Sequence, residues 1–169
     1  MLVITGTLFF FHHRGHGGHG VLLIKQKKLY VPCALCGEFP YLCSVMEKFE
    51  LHILGCGSAL PTTRHFATSQ VVNVRDKLYM IDCGEGSQLQ FRKSRLKFSR
   101  LNHIFISHLH GDHCFGLLGL ISTLNLLGRT AELHIHSPKG LETLFAPMLS
   151  FFCRQMTYKV IFHEFETKE

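Results

Sequence analysis

Asn102-His-Ile-Phe-Ile-Ser-His-Leu-His-Gly-Asp-His-Cys-Phe-Gly116 joins a short apolar, β-branched run to a dense cluster of imidazoles and one carboxylate. Ile104, Phe105 and Ile106 read as a buried strand, and Gly116 to Leu127 reads as a buried helix. Strand, ligand-bearing loop and helix in that order put the polar residues at the C-terminal end of a strand, where open α/β folds hold their chemistry. Imidazoles with a carboxylate suit zinc, and also manganese or iron. His108 and His110 are two apart, so an extended backbone turns both to one side. Asp112 and His113 come next and turn towards a second position. The reading is of two metals about 3.5–4 Å apart on one loop, able to activate a water and stabilise an in-line displacement at phosphorus. Asp112 is placed to touch both a metal and its water. A lone loop histidine is usually a solvated surface residue, but His108, His110 and His113 crowd together with Asp112 directly after a strand. The spacing does not give the reaction, because the same loop serves many hydrolases.

The 169 residues suffice for one domain with a core. A hydrophobic fraction of 46% and a mean hydropathy of +0.16 place the chain with globular proteins. A net charge of +6 permits a polyanionic partner without establishing one. Seven cysteines, an odd number with no export signal, read as reduced thiols, and the expected location is the cytoplasm. No apolar run approaches bilayer-spanning length, so no membrane partner is expected.

Residues 1–45 read as an extension outside the fold. Leu2 to Phe11 is apolar, but no positive region precedes it, which makes a poor signal peptide. His12-His-Arg-Gly-His-Gly-Gly-His-Gly20 is a low-complexity tract able to hold nickel or copper loosely. Cys33, Cys36 and Cys43 make half of a zinc ribbon and lack a second CxxC. Met46 begins what looks like an ordinary protein start, and residues 46–169 are read as the folded portion.

From Phe49 the pattern is regular. Phe49 to Leu54 alternates as a strand, and Gly55-Cys-Gly-Ser-Ala-Leu-Pro61 is a glycine-rich turn, either a phosphate cradle or a plain turn. Ser69–Val74 and Lys77–Ile81 form a hairpin across Arg75-Asp76, and Asp82-Cys-Gly-Glu-Gly86 then breaks the strand. Ser87 is expected to cap a helix that carries on past Gln90. That helix brings Arg92, Lys93, Arg95, Lys97 and Arg100, either a solvated face or a phosphate-contacting one. Leu133 to His136 is a further strand, a helix from Leu141 is expected to break near Pro147 and reach towards Gln155, and Lys159 to Phe162 is the last strand. Alternating strands and helices give an α/β or α+β class with a layered sheet.

Three blocks taken together, Leu54-Gly-Cys-Gly-Ser-Ala-Leu-Pro61, Ile81-Asp-Cys-Gly-Glu-Gly-Ser-Gln88 and Ile106-Ser-His-Leu-His-Gly-Asp-His-Cys-Phe-Gly116, resemble ribonuclease Z. These are the tRNA 3′-processing endoribonucleases of the metallo-β-lactamase superfamily. The His-x-His-x-Asp-His pattern marks the superfamily, and the Asp82 to Gln88 block is the more specific one. The resemblance implies an α/β, four-layer αββα sandwich, of which this chain supplies about the N-terminal half. It implies His108 and His110 on one zinc, Asp112 and His113 on the other, Asp112 as proton acceptor, and Asp82 orienting the loop from behind. It further implies two zinc ions per complete site, with manganese as the alternative, precursor tRNA as substrate, and a homodimer. The products are a 3′-hydroxyl on the tRNA and a 5′-phosphate on the trailer.

The sequence departs from the family at Thr63, His65 and Phe66, where lysine, arginine and asparagine are usual, and at Leu118, where proline is usual. The family's further His, bridging Asp and final His lie downstream of any match here. Ligand counting agrees, since two metals need about five or six protein contacts and the loop offers four. His134, His136 and His163 are read as strand or surface histidines rather than stand-ins. The expectation is therefore an N-terminal half whose sheet leaves one apolar face without a partner. The competing readings are a small-molecule thioesterase or phosphodiesterase of the same superfamily, and a non-catalytic, truncated metal-binding fragment.

Overall fold

The computed structural model describes residues 20–22, 49–60 and 62–166. The His12–Gly20 tract up to its last residue, Cys33, Cys36, Cys43, Met46 and Pro61 lie outside the described residues. One mixed sheet of seven strands runs in chain order: β1 (Gly20–Leu22), β2 (Phe49–Gly55), β3 (Ser69–Val74), β4 (Lys77–Ile81), β5 (Leu101–Phe105), β6 (Leu133–Pro138) and β7 (Val160–Phe165). The pairings β1–β2, β2–β3 and β3–β4 are antiparallel, and β4 to β7 are mutually parallel. Parallel neighbours need crossovers. These are supplied by α1 (Ser87–Lys93), the pair α2 (Gly111–Cys114) and α3 (Gly116–Leu126), and α4 (Leu141–Phe152).

The antiparallel half turns tightly because Arg75 and Asp76 both sit at positive φ, 51° and 64°, the geometry whose twist matches flanking strands. Alternation then sorts the side chains. Val71, Leu78, Met80, Ile104, Leu133 and Ile135 all point into one core. Helix α3 meets them with Leu117, Leu120, Ile121 and Leu124, a spacing that lines one helical face. Helix α4 adds Leu141, Phe145 and Leu149. The other face of the sheet has no helix among the described residues. It carries a groove of about 480 Å³ whose lining includes Val72, Val74, Tyr79, Ile81, Phe105 and His136.

Four local readings change. Gly20–Leu22, inside the segment read as lying outside the fold, pairs as an edge strand, with Val21 opposite His52. The free edge of β2 offers a row of backbone groups that any short extended run can take up. Ser87 is not the cap of α1: Gly86, at φ 80°, precedes the helix, and the Ser87 hydroxyl donates to Gly84 O at 2.6 Å. The basic run is not one helical face, because α1 ends at Lys93 and Arg95 turns back at φ 55°. Pro147 does not break α4, which continues to Phe152 but stops short of Gln155, itself at φ 62°. Proline there removes one backbone donor, while the apolar face of the helix stays seated on the core.

Arg129 ties the start of β5 to the start of β6. Its guanidinium donates to Ala131 O (2.7 Å), Leu101 O (2.9 Å), Asn102 Oδ1 (2.8 Å) and Glu132 O (2.6 Å), and it lies 5.4 Å from the Tyr158 ring. Arg129→Met strands buried carbonyls without donors and should cost on the order of 3 kcal/mol in denaturant unfolding. A loss below about 1 kcal/mol would mean water takes over those acceptors.

Burial also sets the alkaline limit. It pushes the Cys83 thiol from its usual 9.0 up to about 12, with the neighbouring Ser87 side chain opposing the rise. Burial raises the Cys153 thiol and the Tyr158 phenol as well. Unfolded thiols release protons from about pH 9, while the folded chain holds them. Stability is therefore fully present below that pH and should fall as pH rises towards 12, read as a declining urea midpoint. A flat midpoint across that window would contradict the burial.

Candidate metal centre

Two loops meet at the C-terminal ends of β4 and β5, as the order of the sequence blocks requires. Backbone bonds knit them together: Asp82 N donates to Phe105 O (2.8 Å), Cys83 N to His113 O (2.7 Å) and Gly116 N to Cys83 O (2.9 Å). The approach is close enough that glycine is obligatory at two points. A Cβ on Gly84 would run into Asp112 O, and one on Gly116 would run into Gly84 O.

Asp82 is 5% exposed and sits at φ 56°, so its carboxylate turns back under the second loop. Oδ1 accepts from Ser107 N at 2.8 Å, and Oδ2 accepts from the Ser107 hydroxyl at 3.0 Å. His113 Nδ1 lies 2.8 Å from the same Oδ2, so Nδ1 carries the hydrogen and Nε2 keeps its lone pair. That Nε2 stands 3.5 Å from Asp112 Oδ2. The Ser107 oxygen, having spent its hydrogen on Asp82, lies 3.1 Å from His108 Nδ1 and can accept there. The His108 ring is 3.7 Å from the His113 ring and 4.7 Å, edge-on, from the His110 ring. His110 is the last extended residue before α2, whose first turn holds Asp112 and last turn His113.

His108, His110, Asp112 and His113 thus gather at one place, with Asp82 behind them. The donor chemistry suits a divalent metal, and the free Nε2 of His113 facing Asp112 Oδ2 is a ligand pair in the making. A closed shell is not formed: among the described residues no three His, Cys, Asp or Glu side chains already surround a point for a metal ion. His134, His136 and His163 do not join the loop; their rings stack on one another across β6 and β7. Ser107 carried no role in the sequence reading. Its signal was its place, directly between the strand and the first histidine.

The basic residues lie apart. Arg92, Lys93, Arg95 and Lys97 are exposed, and Arg100 pairs with Asp76 at 2.9 Å. Lys93 stands over the Phe66 ring at 5.6 Å, which puts one departure from the family pattern in contact with α1.

The sheet and its loop superpose on structures of the metallo-β-lactamase fold. A metallo-β-lactamase-fold protein of Bacillus subtilis superposes with a TM-score of 0.54 at 17% identity, over 69% of this chain and 46% of that one. The short form of human tRNase Z superposes with a TM-score of 0.65 at 34% identity, over 70% of this chain and 46% of that one. Ribonuclease Z of Bacteroides thetaiotaomicron is 86% identical over 124 residues, 73% of this chain and 39% of that protein. A family model described as Anti-Pycsar protein Apyc1 matches residues 49–150. The chain belongs to the family that model describes, and it is similar over part of their length to proteins named ribonuclease Z and tRNase Z. It spans about two-fifths of the length of the curated relatives it matches. No helix among the described residues is long and apolar enough to cross a membrane.

Asp82→Asn tests the arrangement behind the loop. Asparagine tolerates the positive φ, but its amide nitrogen cannot accept from His113 Nδ1. The His113 tautomer should shift, visible in the ¹⁵N resonances of the imidazole, and the Ser107 amide should exchange faster. An unchanged His113 tautomer would show that another group holds the ring.

Proposed function

We propose that residues 46–169 form the N-terminal portion of a zinc-dependent endoribonuclease that removes the 3′ trailer from precursor tRNA, leaving a 3′-hydroxyl on the tRNA. Apart from the edge strand Gly20–Leu22, residues 1–45 are assigned outside its catalytic fold. The observation that carries the reading is His113, held by Asp82 on one nitrogen and presenting the other to Asp112, with His108 against its ring. The similarity to proteins named ribonuclease Z and tRNase Z supplies the substrate class.

In this reading His108 and His110 hold one divalent metal, and Asp112 and His113 a second. A metal held there supplies positive charge beside the reacting phosphate and acidifies water. Asp112 takes the proton from the attacking water. Asp82 and Ser107 fix the tautomers of His113 and His108 so that the ring nitrogens facing away from them stay free to ligate. Exposed Arg92, Lys93, Arg95 and Lys97 face the phosphate backbone, which gives binding a steep salt dependence. Zinc as the metal, a homodimer as the assembly and the cytoplasm as the location complete the proposal.

The test joins this chain to the part of the Bacteroides thetaiotaomicron relative beyond its matched 124 residues. With zinc and a precursor tRNA, the fusion should cut once, just after the discriminator nucleotide. Asp112→Ala should lower that rate by about 10²-fold or more, while tRNA affinity stays within about threefold. His108→Ala should lower metal content as well, measured by mass spectrometry. Retention of more than about a tenth of the rate would remove Asp112 from the proton transfer.

A further inference from the structure

Phe66 is an aromatic ring left 42% exposed beside the ligand loop, and nothing in the proposed reaction uses it. Its main chain is fixed. Phe66 O accepts from Gly57 N at 2.8 Å, and a Cβ on Gly55 or Gly57 would strike that same oxygen. Just before it, the Thr62 hydroxyl accepts from His65 N at 3.0 Å and closes the turn. Just after it, the Ala67 side chain and Asp112 O both crowd the place where Gly84 would carry a Cβ. The ring therefore stands at the rim of the candidate centre, one residue away from a point shared with the ligand loop.

Its surroundings are mixed. Gly86 backs onto the ring, where a Cβ would come within 2.9 Å of Cδ1. Lys93, about two turns further along α1, holds its ammonium 5.6 Å from the ring centroid, near the outer reach of a cation–π contact, about 6 Å. Arg64 and His65 on the same turn and Arg92 on α1 are exposed, with Glu85 the acidic residue among them. Plain apolar packing accounts for the contact with Gly86. It does not account for a ring held in solvent under an ammonium, at the edge of a phosphodiester site. A flat apolar surface beside cations matches a ligand that is flat in one part and anionic in another, which is the chemistry of a nucleotide. Lysine carries its charge on a flexible four-carbon stem, so Lys93 can move to a phosphate and leave the ring face to a base.

We propose that Phe66 is a stacking platform for one unpaired base of the RNA substrate, with Lys93 taking the phosphate next to that base. Every base has a π face, so the platform positions the strand without reading its sequence. Phe66 is one of the chain's departures from the ribonuclease Z pattern, and the platform is this chain's own. The inference rests on the reading of an RNA substrate and adds a named contact to it.

The test reads the ring itself, in the full chain with ring-labelled phenylalanine and no added metal. The Phe66 signal is assigned by its loss in Phe66→Leu, which keeps an apolar contact to Gly86 without a π face. A short single-stranded RNA should move the Phe66 ring-proton resonances upfield, and an abasic ribose-phosphate strand of equal length should not. RNA affinity should fall about tenfold or more in Phe66→Leu and stay within about twofold of the parent in Phe66→Tyr. Lys93→Gln should weaken both strands alike and flatten the salt slope by about 0.7, the share of one phosphate on a single strand. Nothing is cut in this experiment, so a fusion unable to process precursor tRNA would leave the platform standing, and a failure here would leave the cleavage standing. A Phe66 ring indifferent to RNA, equal shifts from RNA and the abasic strand, or unaltered RNA affinity in Phe66→Leu would each overturn the platform. An unchanged salt slope in Lys93→Gln would overturn the part given to Lys93.

Discussion

Asp82 ends β4 at a positive φ with its carboxylate almost wholly withdrawn from solvent, and both oxygens face donors from the loop after β5. A buried carboxylate is tolerable only when hydrogen-bonded, and here Ser107 N, the Ser107 hydroxyl and His113 Nδ1 satisfy it. The requirement runs both ways. The loop cannot shift without stranding the charge, and the charge cannot turn outward without losing three donors. Gly84 and Gly116 are consequences of this bond, because they let the two backbones come close enough for it to form. The free nitrogens of His113 and His108 follow in turn, since each ring is held from behind by its Nδ1.

This explains what the sequence could and could not reveal. Strands β2 to β6 were legible because alternation and turn residues act locally, and Arg75-Asp76 fixes its hairpin by itself. The loop was legible because strand, imidazoles, carboxylate and helix follow one another within fifteen consecutive residues, Asn102 to Gly116. Ser107 was not, because its importance lies in being touched by Asp82, twenty-five residues earlier. The misjudged helix details share one cause. Ser87, Arg95 and Pro147 all have strong local preferences, and tertiary packing decided the outcome for each: a bond back to Gly84, a turn ahead of β5, and a helix face already committed to the core.

The two faces of the sheet have different characters for a reason visible in the register. On the helix side Ile104 and Ile135 stand side by side on neighbouring strands and are fully buried. On the other side the same register lines up His103 with His134 and Phe105 with His136, so aromatic and imidazole rings stack in rows. Parallel strands buried on both faces usually read as continuous apolar runs. Leu133-His-Ile-His136 does not, and its histidines read as strand or surface residues. The structure gives them each other as partners instead of water.

That pairing bears on the loop. His134, His136 and His163 are the imidazoles that a short ligand count would turn to first, and they are engaged among themselves on another part of the sheet. His108, His110, Asp112 and His113 therefore stand without help from them. A catalytic zinc takes about three protein ligands and keeps one position open, so two ions need more donors than these four residues offer. The bond at Asp82 orients His113 and, through Ser107, His108, without closing a shell of donors around one point. Aim and closure are thus separable here: the strands β4 and β5 with Asp82 and Ser107 fix the direction of the His113 and His108 rings, and the proposed metal pair would need further donors. A loop organised in advance would then need little rearrangement to accept them, which is the condition under which ligands bind metal most tightly for the contacts they make.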